Sequence, residues 1–90
     1  RSIYRTGNTD FEIAEMYLWY NNWEAMRKLW EPYLNDSNNR IAKRAHYNIA
    51  VYYEVTGNLE KALEHAKISA LQYNNQKAHK YVAILEKRMI

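Results

Sequence analysis

The sequence predicts an all-α fold of stacked antiparallel helical hairpins, on three observations. Two Gly and one Pro in ninety residues leave the chain short of the tight-turn residues that an all-β fold needs. Apolar residues recur at three- and four-residue spacing in five stretches, most of them opened by an Asn or a Thr suited to cap a helix. The pattern also repeats. Sliding the sequence on itself by 36 residues pairs Ile13 with Ile49, Ala14 with Ala50, Tyr17 with Tyr53, Asn22 with Asn58 and Glu24 with Glu60, five identities in 26 aligned positions. Each unit is then helix, tight turn, helix, and a period of this size marks stacked helical hairpins.

The first helix is expected over 10–20, behind Thr9, whose hydroxyl stands three residues before Glu12 in a capping-box pattern. Asn21-Asn22 ends it and opens the next helix, because Asn tolerates a left-handed residue after a helix and also serves as an N-cap. The second helix, 23–34, carries Trp23, Met26, Trp30, Tyr33 and Leu34 on one stripe. Pro32 lacks a backbone donor and collides with the Lys28 carbonyl, which predicts a kink or an early end. After the polar loop Asn35–Asn39, the third helix, 40–56, is apolar on two faces: Ile41, Ala42, Ala45, Ile49, Ala50 and Tyr53 on one, Tyr47, Val51 and Val55 on another. Two apolar faces require two packing partners. Gly57-Asn58 repeats the logic of Asn21-Asn22 ahead of a fourth helix, 59–73, and Asn74-Asn75 repeats it ahead of a fifth, 76–89. The fourth is expected to bury Leu59, Ala62, Leu63, Ala66, Ile68, Ala70 and Leu71. The fifth buries Ala78, Tyr81, Val82, Leu85 and Met89 while turning Lys77, Lys80, Lys87 and Arg88 to solvent. The organisation is a single domain: hairpin 10–34, hairpin 40–73 and a closing helix 76–89.

At 10.9 kDa only one core fits, in a chain expected to expose roughly 5,600 Å² when folded. Hydrophobic residues at 48% and charged residues at 26% are the proportions of a globular chain, and no apolar run approaches the ~20 residues of a membrane span. The absence of Cys excludes disulfides, iron–sulfur clusters and thiolate zinc sites. The opening Arg-Ser-Ile, with no Met and no charged-then-apolar leader, reads as a processed or excised piece. The net charge of +3 is uneven: residues 10–36 hold six acids against Arg27 and Lys28, and residues 37–90 hold nine bases against four acids. Such a chain is dipolar and not uniformly basic.

Residues 43–76 resemble a tetratricopeptide repeat, with Asn48-Ile49-Ala50, Tyr53, Gly57 and Ala62 at its patterned positions. Residues 7–40 match at Ala14, Tyr17 and Asn21 but place Met26 and Tyr33 where small residues are usual, and 76–89 looks like the helix that closes such arrays. The resemblance implies that the outward faces of the first helices line one concave, polypeptide-binding surface. Carried over residue by residue, that surface is Phe11, Glu15, Leu18 and Trp19, then Arg44, Tyr47, Asn48, Val51, Glu54 and Val55, then Lys80. Asn48 and Lys80 match two positions of the carboxylate clamp that holds chaperone C-termini, whereas Phe11, Glu15 and Ile84 occupy other clamp positions without the needed chemistry. Tyr4-Arg5-x-Gly7-Asn8 with Trp23 and Trp30 is also similar to the C-terminal part of a family of Bacteroidetes envelope lipoproteins, which implies an envelope location. Half-a-TPR repeats of RNA-processing scaffolds share the look of Tyr53 to Asn58, and Sel1-like repeats form another assignment.

Catalysis finds no support. His46, His65 and His79 fall on three different helices and belong to no metal-binding motif, so His46 is read as a filler between the third and fourth helices. Glu12, Glu15 and Glu24 are the ordinary acids of helix starts, and two isolated Gly make no phosphate loop. Nine Tyr, three Trp and one Phe invite base stacking, but most sit on core stripes, and the Lys and Arg of the last helix read as a solvated face. The expectation is a non-catalytic module, without metal or cofactor, that binds a protein, a peptide or another domain of its parent chain. A nucleic-acid scaffold is the alternative. If Ala62 sits where two helices cross, Ala62→Leu is expected to cost about 1–3 kcal/mol through overpacking, read as a fall in melting temperature.

Overall fold

Each helix of the computed structural model, which describes residues 2–90, starts at an Asn whose side-chain oxygen accepts a backbone N–H of the first turn. Asn8 caps α1 (Thr9–Leu18), Asn22 caps α2 (Trp23–Trp30) and Asn38 caps α3 (Asn39–Val55). Asn58 caps α4 (Leu59–Lys67) and Asn75 caps α5 (Gln76–Arg88). The cap of α1 is therefore Asn8, one residue earlier than the sequence pattern suggested, with Thr9 already helical. The two hairpin turns are built alike. Asn22 N–H donates to Tyr17 O at 3.0 Å and Asn58 N–H donates to Tyr53 O at 2.8 Å, the same bond one repeat later. The residue that lets the chain turn is left-handed in both, Asn21 at φ 54° and Gly57 at φ 91°, and Asn74 at φ 52° does the same before α5.

Two helices end sooner than the pattern allowed. α2 stops at Trp30 and tightens into a 3₁₀ turn over Glu31–Tyr33, because Pro32 cannot donate to the Lys28 carbonyl. α4 widens after Lys67 into a π turn over Ile68–Gln72, which buries Ser69 and Ala70 and leaves Leu71 exposed, against expectation. Met89 is also exposed, because α5 ends at Arg88 before the chain can turn that side chain inward.

Turns of so few residues force consecutive helices to reverse direction, so α1 packs on α2, α2 on α3, α3 on α4 and α4 on α5. The result is an all-α stack of antiparallel hairpins, 35 × 29 × 17 Å, exposing 5416 Å². Its centre is α3. Between Ile41 and Tyr52 all but Lys43 and Arg44 are buried, as the two-faced apolar pattern requires. Ala62, Ala66 and Ala78 are fully buried and allow close approach of α3, α4 and α5. Across α2 and α3, the Tyr52 hydroxyl donates to Glu24, and Arg27 pairs with Glu24 and Glu31 while lying 5.8 Å over the Tyr52 ring.

His46, which the sequence placed between the third and fourth helices, is buried there at 5% exposure, stacked between His65 and Tyr73. Its Nε2 lies 2.9 Å from the Leu34 carbonyl and its Nδ1 lies 3.0 Å from Nδ1 of His65. A carbonyl only accepts, so the His46 proton sits on Nε2, its Nδ1 accepts, and His65 donates from Nδ1. Burial, reinforced by repulsion from His65, pushes His46 down to about 4, and burial also lowers His65. A folded-state pKa below the unfolded value makes stability complete above about pH 6.5 and lost as the pH falls toward 4. Glu24, held low by Tyr52 and Arg27, adds a loss in the same direction only in the carboxylate range. Between pH 7 and pH 4.5 the protein is expected to lose roughly 1–3 kcal/mol through this pair. His46→Phe should flatten that part of the curve in pH-dependent thermal melts.

Candidate functional site

The face lined by the first helices, α1, α3 and α5, is occupied by the chain's own N-terminal arm. Tyr4 N–H donates to Asn48 Oδ1 at 2.7 Å, and Asn48 Nδ2 donates to Tyr4 O at 2.8 Å. One primary amide thus holds both main-chain groups of one residue. That geometry requires Tyr4 to be extended, since only then do its N–H and C=O point to the same side. Asn48 itself is fully buried and lies on the apolar side of α3 between Tyr47 and Ile49.

Side chains of the arm alternate between flanking elements. Ile3 is buried in the main core, and Tyr4 faces α5. The Tyr4 ring meets Tyr47 edge-on at 5.2 Å, with Lys77 Nζ 4.7 Å and the Arg44 guanidinium 5.0 Å from its centroid. Its hydroxyl donates to Asn75 Oδ1 at 3.3 Å. Arg5 turns the other way, toward Glu15 at 3.5 Å, an exposed pair of small energetic weight. Arg44 Nη1 donates to the Thr6 carbonyl at 2.9 Å and to its hydroxyl at 3.1 Å. Gly7 then brings the backbone against the core: a Cβ there would lie 3.3 Å from Phe11 Cγ and 3.4 Å from Ile41 Cδ1.

The residues expected to bind a partner divide accordingly. Arg44, Tyr47 and Asn48 do come together, but around the arm, and Tyr47 and Asn48 are buried beneath it. Phe11 and Val51 are fully buried core residues and present nothing to a partner; Gly7 of the arm lies against Phe11. Glu54 accepts from the Tyr81 hydroxyl at 2.7 Å and pairs with Arg88, tying α3 to α5. Val55 is half exposed at the end of α3. Leu18 and Trp19 lie beside Arg5 around a cleft of about 280 Å³, and Trp19 is 86% exposed. Lys80 is exposed at the opposite end, where Ser2, Tyr47, Lys77, Tyr81 and Ile84 join it around a cleft of about 290 Å³.

Lys77, Asn75 and the arm itself were missed. The only sequence signals for the arm were an Asn in the middle of an apolar helix face, which must find a partner, and Ile3-Tyr4 set off by Gly7. Ile13 and Tyr17, which the repeat pairs with Ile49 and Tyr53, and Leu71, expected to be buried, are substantially exposed. No group of three or more His, Asp or Glu able to hold a metal occurs among the described residues, and no helix there is long and apolar enough to cross a membrane.

Residues 12–87 match the family model described as Domain of unknown function (DUF6340), and the chain belongs to that family. No curated protein and no solved structure matches it. Of the two large aromatics expected on the partner-binding surface, Tyr47 is buried and Trp19 is exposed. Tyr47→Ala is expected to destabilise by about 2–4 kcal/mol, and Trp19→Ala by less than about 0.5 kcal/mol, in denaturant titrations of the two variants.

Proposed function

We propose that this DUF6340 domain is a non-catalytic polypeptide-binding module of tetratricopeptide type, whose surface lined by the first helices holds an extended segment by its main chain. The observation that carries this reading is the two-bond clasp of Asn48 on Tyr4. A buried amide aimed at backbone groups recognises an extended chain whatever its side chains, because one N–H and one C=O of the same residue meet its oxygen and its nitrogen. The 36-residue repeat, the Asn-capped turns and the left-handed Gly57 support the tetratricopeptide assignment. The arm fills the surface in cis, and it does so incompletely: Arg44 Nε is buried without a partner.

The nucleic-acid reading draws less support, since two cations of the groove are already engaged, Lys77 over two Tyr rings and Arg44 on Thr6. The test uses the full chain carrying Tyr4→Ala, which loosens the arm and leaves the groove intact. It is expected to bind a capped octapeptide of sequence Arg-Ser-Ile-Tyr-Arg-Thr-Gly-Asn with a Kd of roughly 10–300 μM, and to bind single-stranded RNA no tighter than about 10⁻⁴ M at physiological salt. Micromolar, salt-sensitive RNA binding without peptide binding would reverse the assignment.

A further inference from the structure

We infer that the groove selects the side chain as well as the main chain of its occupant, and that the residue it selects is tyrosine. The inference rests on the polypeptide-binding reading and adds the chemistry of the partner: an extended segment carrying an aliphatic residue followed by Tyr. Four groups, two from α3 and two from α5 and its cap, converge on the Tyr4 side chain. Tyr47 of α3 supplies an edge contact at 79° between planes, the arrangement that places a positive ring edge on a negative face. Lys77 of α5 lies 4.7 Å from the Tyr4 centroid and 4.9 Å from that of Tyr47, so one ammonium bridges both rings. Arg44 of α3 lies 5.0 Å from the Tyr4 centroid. Two cations around one ring favour an electron-rich aromatic over any aliphatic side chain of similar size.

The fourth group distinguishes tyrosine from phenylalanine. Asn75 is 4% exposed, and its amide orientation is fixed on both sides. Oδ1 accepts from Lys77 N–H at 3.1 Å as the cap of α5, and Nδ2 donates to Ser69 Oγ at 3.0 Å. Ser69 in turn donates to the Lys43 carbonyl at 2.8 Å. The oxygen that faces the Tyr4 hydroxyl can therefore only accept, and it rewards a ligand that carries an O–H donor there. The π turn supplies this device: it places Ser69 inward, where Asn75 reaches it. Ile3, at 6% exposure beside the site, fixes an aliphatic residue immediately before the tyrosine.

The test compares octapeptides on the full Tyr4→Ala chain, by fluorescence anisotropy: the natural arm sequence and versions with Phe or Leu in place of Tyr. Loss of the hydroxyl is expected to weaken binding roughly threefold, and loss of the ring at least about tenfold. The wild-type chain, whose own arm competes at high effective concentration, is expected to bind the natural peptide at least about tenfold more weakly than the Tyr4→Ala chain. Equal binding of all three peptides overturns tyrosine selection while leaving main-chain recognition standing. No binding at about 1 mM, where a cis arm's effective concentration lies, overturns both readings. A second measurement needs no added peptide: hydrogen exchange of the residue 4 amide in chains with Tyr4→Phe, Tyr4→Leu or no substitution. Protection is expected to fall in the order Tyr, Phe, Leu, by at least about tenfold at Leu, and unchanged protection overturns the inference.

Discussion

Burial of α3 on more than one face is the constraint from which the other contacts follow. Ten of its seventeen residues are buried, including the polar His46 and Asn48. A helix of that kind cannot stand at the edge of a stack, so α2 covers one side and α4 the next, while Tyr81 and Arg88 of α5 reach it through Tyr47 and Glu54. What remains is the strip from Arg44 to Asn48, and there no helix is available. The arm closes it. Because Asn48 sits on that strip, the cover must bring backbone donors and acceptors with it, since a buried amide left unpaired costs about 1–3 kcal/mol. Leu34 O and His65 answer His46 on the opposite side in the same way, with ring nitrogens matched to a carbonyl and a second imidazole. The central helix thus demands two polar solutions, one that shapes the core and one that shapes a groove.

Most of the fold was legible because it depends on local chemistry. Asn21, Asn58 and Asn75 act within a few residues of where they stand, so Asn-Asn and Gly-Asn pairs announce a helix end and a helix start together. Pro32 was legible for the same reason, and it ended α2 even earlier than its own position. The π turn was not, because an i→i+5 widening is decided by which side chains fit the core: Ser69 and Asn75 turn inward and Leu71 is left outside. Spacing alone reads that stretch as continuous helix.

The site was half legible. Arg44, Tyr47 and Asn48, which the tetratricopeptide resemblance implies on one face, do lie together around the arm. Their burial was not readable, because it depends on residues 3–6 returning across more than forty positions of sequence, and no period records such a return. Phe11 and Val51 failed for a related reason. A helix face is assigned to solvent only after its covers are counted, and the arm was not among them. Trp19 shows the opposite case: it lies just past the end of α1, beyond the reach of α2, and so stays exposed.

The groove is longer than the part of the arm it grips. At one end Ser2 shares a cleft with Lys80, Tyr81 and Ile84 of α5, and at the other Leu18 and Trp19 wall a second cleft against Arg5. Between them lie the fixed points, Asn48 for the main chain, Asn75 for the hydroxyl and Arg44 for the Thr6 carbonyl. Each fixed point belongs to a rigid helix or its cap, so the groove is organised before anything enters it, and little ordering cost falls on the protein side. The arm brings the converse property: it has no regular structure of its own, and the buried Ile3 side chain, a few hydrogen bonds and one aromatic ring hold it. On the proposed polypeptide-binding reading, a groove holding a short strap is an arrangement in which strap and partner would compete for the same bonds. On the same reading, the strap's effective concentration, together with the burial of Ile3, then sets the threshold a partner must overcome.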